Sequence, residues 1–589
     1  MTIRSQEGGM GNVGEETPLL IEQTRSADRD DTSSETLTDA QRRGDDSDEE
    51  DLVDLDKANQ QVGRLRGFLI IFSLWGLIFL QASNMSGITT TQSKIAEDLG
   101  AFAEAVWFSS VYLIAMSSTS PLAARLAQIF SPRNCVFAAS IFFAIGGVVT
   151  SQAKNLKIFL TGRVIQGVGG AGIMTVSFIL VLELTGKKRR GLFIGLVNAA
   201  FTTGVSFGAV VAGALLPVMG WRFLFWIQSP MSVGFGTGIF FSIPGSFTSG
   251  QAGSGEGSIS HKLGRIDYLG ASSLTTSLCL FLFGLSSPVI QWIPIVASAF
   301  ILAAFVLIEI YVVSEPIIPI TVLKSRGVLL SCLAQLGIMA ARWMVLFYTP
   351  AYAIAVRGWS PASAGSILIP TNLGFAIGGI GVGGLHIRRA GSFWLPSIIS
   401  YFLFACTLIT LSQIANPATP ASLFLLNVFV NGICVGASLA YTLAHLLHLT
   451  PPSTHFISTS LLSTFRGFAG SFGSAIGGGL FVRVLKTTLE KGFQENGGLA
   501  GREDLVRRLL GSPALVQTLK GVEKHIAVVG YVGGLKQLFV AGAALALLMV
   551  LVQAGVGWKG AEEAKVGDDP DRSTDGEDEE WEEGMGQGV

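Results

Sequence analysis

The chain has 589 residues, of which 49% are hydrophobic and only 14% charged. Water-soluble proteins carry charge on about a quarter of their residues, so this composition excludes an ordinary soluble enzyme or nucleic-acid binder and requires lipid around most of the surface. The net charge of -2 averages two acidic ends with a nearly acid-free middle, and therefore says nothing about partners.

Residues 1–62 combine acidic runs with Ser and Thr. Such a stretch cannot bury enough apolar surface to offset the entropy of ordering, which predicts a disordered tail. Within it, "EETPLL" forms an acidic dileucine pattern, Glu15, Leu19 and Leu20, of the kind a sorting adaptor uses to route cargo to a vacuole. No secretory signal precedes the first apolar run, which then has to serve as its own insertion signal. Residues 560–589, with "DGEDEEWEEG", predict a second acidic tail.

Between the tails, runs of roughly 20 apolar residues are each long enough to span a bilayer. Backbone polar groups in lipid must be paired within a segment, so these runs are expected to be helices. A first group of six covers 67–243: Gly67–Thr89, Val106–Ala124, Asn134–Ser151, Ile158–Leu182, Leu192–Leu216 and Phe223–Ile243. A central pair follows within 268–313, Tyr268–Leu285 and Ile290–Val313. The second six fill 328–556: Val328–Tyr352, Ala362–Leu385, Trp394–Leu411, Ala421–Leu447, Ser458–Val482 and Val529–Val556. This is an all-α membrane protein with fourteen expected spans, and the charged connection 483–528 is left without a role.

Basic residues in short loops stay on the cytoplasmic side. Arg125 and Arg133, the run Lys187–Arg190, Lys262 and Arg265, Lys324 and Arg326, and Arg388 and Arg389 fall in alternate loops. That asymmetry places both tails in the cytosol.

A charged side chain at a helix centre costs about 3 kcal/mol on insertion scales, so each one is a candidate for function. Arg163 stands in "GRVIQGVGGAG", where glycines let a neighbouring backbone approach closely and Gln166 lies one turn away. Snorkelling to the interface is the bland alternative. Arg342 is a candidate contact for an anion or carboxylate, balanced against a pairing with a helix carbonyl or an acid. Arg466 precedes "GFAGSFGSAIGGG", whose close-packing spacing favours a structural anchor. Asn84, Gln92, Asn198, Gln228, Asn372, Asn427 and Asn431 could line a pathway or join helix to helix. The five cysteines and the His445/His448 pair lack metal-ligand spacing, no nucleophile and base pair or phosphate loop appears, and no cofactor or catalytic residue is expected.

Several motifs together carry a family likeness: "TQSKIAEDL", "LTGRVIQGVGGAGIMTV", "RRGLFIGLVNAAFTTG", "GWRFLFWIQSP", "GRIDYLG", "EPIIPITVL", "GWSPASAGSILIP" and "STFRGFAGSFGSAIGGG". Residues 67–556 resemble the fourteen-span drug:proton antiporters of the major facilitator superfamily, and within them most resemble fungal vacuolar basic amino acid transporters. The resemblance implies two six-helix bundles that rock around a midplane site. It also implies a vacuolar membrane, with the plasma membrane as the alternative.

The resemblance makes Arg163 a coupling residue facing an acid on the first span, but that position holds Asn84, an amide that cannot exchange a proton. In the loop after the second span, the family's Gly, Asp, Gly and Arg appear as Ala124, Gln128, Ser131 and Pro132, with Arg133 kept. The fifth span keeps Gly204, Gly208 and Gly213 but has Ala209 in place of Pro. The implied function is secondary transport of a small organic solute, a basic amino acid or drug-like compound, with proton exchange as the family default. A facilitator or non-transporting membrane receptor is the alternative. Coupling or substrate residues are Arg163, Gln166, Asn84, Gln228, Arg342 and Asn372. The conformational set is Arg133, Gly204, Gly208, Gly213 and Arg466.

Overall fold

Glycine and proline divide a mostly apolar chain into helices. The computed structural model describes residues 64–184, 190–243, 267–287, 289–313, 320–383, 393–451, 454–496 and 498–557. Both tails, and with them Glu15, Leu19 and Leu20, lie outside the described residues, as do Lys187, Lys262, Arg265, Arg388 and Arg389.

The first bundle comprises α1 (Arg64–Leu99), α2 (Trp107–Ile129), α3 (Pro132–Ser151), α4 (Leu156–Leu184) and α5 (Arg190–Ser242). Inside α5, Gly220 adopts φ 72°, ψ 167°, a left-handed backbone region open to glycine and costly for other residues. Pro217, one turn earlier, removes a helical donor at the same place. The element is therefore two arms, 190–219 and 221–242, where the sequence predicts two spans.

Two helices then pair with each other, α6 (Tyr268–Ser286) and α7 (Trp292–Tyr311). The second bundle holds α8 (Arg326–Ala355), α9 (Leu368–Gly381, entered through the one-turn helix Pro361–Gly365), α10 (Trp394–Ile414), α11 (Ala421–Leu449) and α12 (His455–Glu495). It ends with α13 (Glu503–Gly511), a 3-10 turn Pro513–Thr518 and α14 (Gly521–Ala554).

By length and composition, twelve helices among the described residues can cross a membrane, with the two arms of α5 taken as one. α2 falls outside that set. Its serines lower its hydropathy, yet Phe108, Ser110, Tyr112, Leu113 and Ser117 are almost completely buried. Much of α2 faces other helices, as parts of α4, α8 and α12 also do, so its surface need not be wholly apolar.

Within the first bundle α1 packs on α5, α2 and α3 on α4, and α3 on α5. In the second, α8 packs on α12 and α14, α9 on α11, and α10 on α11 and α14. The bundles meet along α2 and α12. There Ser110 Oγ lies 2.8 Å from Ser474 Oγ, Ser117 Oγ lies 3.2 Å from Ser471 Oγ, and Ser117 donates to the Gly467 carbonyl at 3.1 Å. Small hydroxylated residues allow close approach and supply hydrogen bonds in one step.

The bundles also meet at the end carrying the α12–α14 connection. A Cβ on Gly213 would lie 2.5 Å from the Pro361 carbonyl carbon, and one on Gly365 would lie 2.7 Å from that of Ala209. The connection folds over this end. The Gly511 backbone abuts Phe102, Tyr531 donates to the Leu509 carbonyl at 2.6 Å, and Gln517 donates to the Ala355 carbonyl at 2.9 Å. Beneath it is a cavity of about 600 Å³ whose lining includes Lys94, Asp98, Arg222 and Arg508. The span expected from Ser458 to Val482 continues to Glu495, and the last helix starts at Gly521, eight residues before its expected start.

Candidate functional site

Glycines place Arg163. One face of α4 presents Gly169 to the α3 backbone, where a Cβ would lie 2.3 Å from Phe143 N. A neighbouring face presents Gly167 to α2, where a Cβ would lie 2.5 Å from the Tyr112 carbonyl oxygen. From α3 the contact is returned by Gly146, whose Cβ would lie 2.3 Å from Gln166 N. Three helix backbones thus converge on Arg163, which is 0% exposed. It is buried inside the bundle and does not snorkel.

The acceptors around that guanidinium are neutral. Nε donates to the Phe108 carbonyl at 3.0 Å, and Nη1 donates to Gln166 Oε1 at 3.1 Å and to Asn84 Oδ1. The Tyr112 ring lies 4.4 Å from the guanidinium carbon and the Phe225 ring 5.5 Å, so aromatic faces supply further attraction. Asn84 passes the chain on, its Nδ2 donating to Gln228 Oε1 at 2.8 Å. Four of the residues the sequence singles out, Asn84, Arg163, Gln166 and Gln228, therefore form one network across α1, α4 and the second arm of α5. Asn84 and Gln228 also line a cavity of about 160 Å³ with apolar neighbours from α1 and α5.

A second cluster centres on Arg342 of α8. Its Nη2 donates to Asn372 Oδ1 at 2.7 Å, and its guanidinium carbon sits 4.1 Å from the Phe375 ring centre. Arg342 Nη1 and Asn372 Nδ2 are buried without a hydrogen-bond partner. Arg466 lies near enough for the two positive charges to repel, and it reaches the other bundle by donating to Asn198 Oδ1 at 3.3 Å. Trp343 stacks on Phe347 at 5.3 Å and meets Phe201 of α5 edge-on at 6.5 Å.

The remaining expected residues take separate places. Arg133 donates to the Ile243 carbonyl at 2.8 Å and lies over Phe240, tying α3 to the end of α5. Gly204 and Gly208 face α1, where Cβ atoms would lie 2.7 Å from Ala82 Cβ and 2.4 Å from Ser83 Cα, while Gly213 faces the other bundle. The three glycines therefore serve two different contacts.

Some participants escape the sequence. Gln81, which donates to Tyr112 Oη at 3.4 Å, and Tyr112 itself look like ordinary members of apolar runs. Gln335 is buried with neither side-chain polar atom partnered, seven residues before Arg342. A spacing of seven keeps two side chains on one helix face, and that is the signal that could have found it.

The family model of the Major Facilitator Superfamily matches residues 74–474. The chain belongs to this superfamily. Curated relatives include the MFS transporter L2 of a Phoma species, 26% identical, with 71% of this chain and 70% of the relative covered. The multidrug resistance protein fnx1 of Schizosaccharomyces pombe is 24% identical over 78% of this chain and 86% of its own length. Multidrug resistance protein 3 of Bacillus subtilis is 26% identical over 74% and 83%.

Among solved structures of the superfamily fold, a bacterial homologue of the human lysosomal transporter Spinster, inward-facing and unoccupied, superposes with a TM-score of 0.58. It is 13% identical, with 84% of this chain and 99% of that one covered. A D-xylose-proton symporter superposes at 0.51 with 14% identity, covering 77% and 97%. The chain is a multi-pass integral membrane protein of the transporter class.

Proposed function

We propose that the protein moves a small organic solute across the membrane by alternating access, the two bundles rocking about the α2–α12 seam. The observation that carries this is the Arg466–Asn198 contact beside Arg342. It sets charged and amide side chains from both bundles against each other, whereas the seam along α2 and α12 offers serine hydroxyls. A solute bound there contacts both halves, and so can favour one arrangement of them over the other.

Fourteen crossings fit this account. Gly220 divides α5 into two arms of membrane-spanning length, and α2, at 23 residues, is long enough to cross as well. An even count puts both tails on one side, and the basic loops favour the cytosol for it. The dileucine pattern at Glu15, Leu19 and Leu20 supports the vacuolar membrane as the location.

Transport does not draw on proton exchange at position 84, because Asn84 has no titrating group to offer Arg163. Proton antiport through another carboxylate is the second possibility, favoured by the burial of Glu309 on α7 at 4% exposure. Uptake into proteoliposomes by a panel of organic anions, amino acids and cationic drugs, with and without an imposed pH gradient, tests the proposal. Saturable uptake indifferent to the gradient supports it. Binding without flux for every solute points instead to a receptor.

A further inference from the structure

The charge balance around the second cluster is one-sided. Arg342 and Arg466 repel one another, and the side chains that hydrogen-bond them are the neutral amides Asn372 and Asn198. The buried carboxylates among the described side chains are Asp267, which caps the start of α6, and Glu309 near the end of α7, a helix that packs on α6 and exposes Ile293, Phe300, Leu307 and Tyr311. A buried positive charge without an opposite partner is costly, and removing the cost takes an anion with its own hydrogen-bond acceptors. Arg342 Nη1 and Asn372 Nδ2 are donors, both buried and both unpartnered, and two turns earlier on the same face of α8 Gln335 adds a buried amide with its donor and its acceptor both unpartnered.

The surrounding surface is aromatic. Phe375 covers one side of the Arg342 guanidinium, and Trp343, Phe347 and Phe201 form a continuous run of rings between α8 and α5.

We infer that the transported solute is an organic anion, an aromatic or other apolar body bearing a carboxylate. Its two oxygens accept from Arg342 Nη1 and the Asn372 amide, Arg466 supplies the second positive charge, and the rings hold the body. A guanidinium's planar fork matches a carboxylate in a way that an ammonium group does not. The inference rests on the transport proposal above and narrows it, and it disfavours basic amino acids and cationic drugs, which would add a third positive charge to the same cluster.

Proteoliposomes holding the full-length protein are assayed with radiolabelled 2-naphthoate, its uncharged analogue 2-naphthamide, and arginine. The expected result is saturable naphthoate uptake at least tenfold above that of naphthamide and of arginine. Arg342→Gln is expected to reduce it at least tenfold, and Arg342→Lys to restore only part. Because Arg342→Gln can impair folding, the thermal shift that naphthoate gives the detergent-purified wild type is measured beside that of Asn372→Ala and Arg466→Gln, and is expected to shrink in both. Uptake of arginine in preference to naphthoate overturns the inference and leaves a transporter. Naphthoate uptake and thermal shift that are unaltered in all four variants overturn the assigned site. Absence of flux for all three probes overturns the inference and the transport proposal together.

Discussion

Asn84 offers its amide oxygen to Arg163 and its amide nitrogen to Gln228, so a neutral side chain occupies the place where the resembling antiporters carry an acid. Because an amide donates and accepts at once, it bridges two partners that a carboxylate would divide: Gln228 Oε1 would then face a second acceptor. Asn84→Asp is therefore expected to bring in a titrating group and to make uptake depend on an imposed pH gradient to which the wild type is indifferent. Flux measured at several gradients in the two proteins checks this.

Removing Arg163 leaves Asn84 Oδ1 and Gln166 Oε1 without their donor in a closed space and takes one of two donors from the Phe108 carbonyl, which keeps its helical bond. Each buried unsatisfied group costs about 1–3 kcal/mol, so Arg163→Ala is expected to lower stability by roughly 3–5 kcal/mol, within the range for broken buried networks. Arg163→Lys retains the charge but not the fork that serves three acceptors. Both variants are expected to lose most uptake, with the lysine protein the more stable in thermal melts.

Two glycines separate close packing from mere composition. At Gly169 an added Cβ would lie 2.3 Å from Phe143 N, whereas nothing lies within 4 Å of one at Gly195. Overpacking typically costs about 1–3 kcal/mol. Gly169→Ala is expected to lower the melting temperature clearly, and Gly195→Ala to leave it unchanged or slightly raised by the gain in helix propensity.

The seam between the bundles is short enough to lock. Ser110 Oγ and Ser474 Oγ are 2.8 Å apart across α2 and α12. A Ser110→Cys, Ser474→Cys protein is expected to form a disulfide on oxidation, to lose over about nine-tenths of its flux if the halves must rock, and to regain it with reductant. Unimpaired flux with the bond intact argues against movement at this seam.

Glu15, Leu19 and Leu20 act, on the proposal made for them, through an adaptor and not through transport. Leu19→Ala with Leu20→Ala is expected to move a fluorescently tagged protein from the vacuolar to the plasma membrane, with uptake per molecule unaltered. Microscopy combined with vesicle assays separates the two effects.

The helices were legible because lipid demands long apolar runs, and Arg163 and Arg342 stood out because charge is scarce in those runs. Partnerships were harder to see. Arg342 and Asn372 are thirty residues apart on different helices, and nothing local in either segment encodes the contact. The break at Gly220 was signalled by Pro217 and the glycine itself. The fold of 483–528 was hidden because its order comes from contacts to distant residues such as Phe102, Ala355 and Tyr531. Gln335 and Tyr112 were missed because uncharged polar residues within apolar runs more often join helices than bind solutes.

The most direct test is initial-rate uptake of 2-naphthoate by proteoliposomes containing wild-type protein, measured with a pH gradient imposed and then collapsed. Saturable uptake at the same rate in both conditions, lost in Arg163→Ala, is the expected result. Uptake that disappears when the gradient is collapsed, or that survives the loss of Arg163, would contradict an uncoupled transporter organised around the Asn84–Arg163 network.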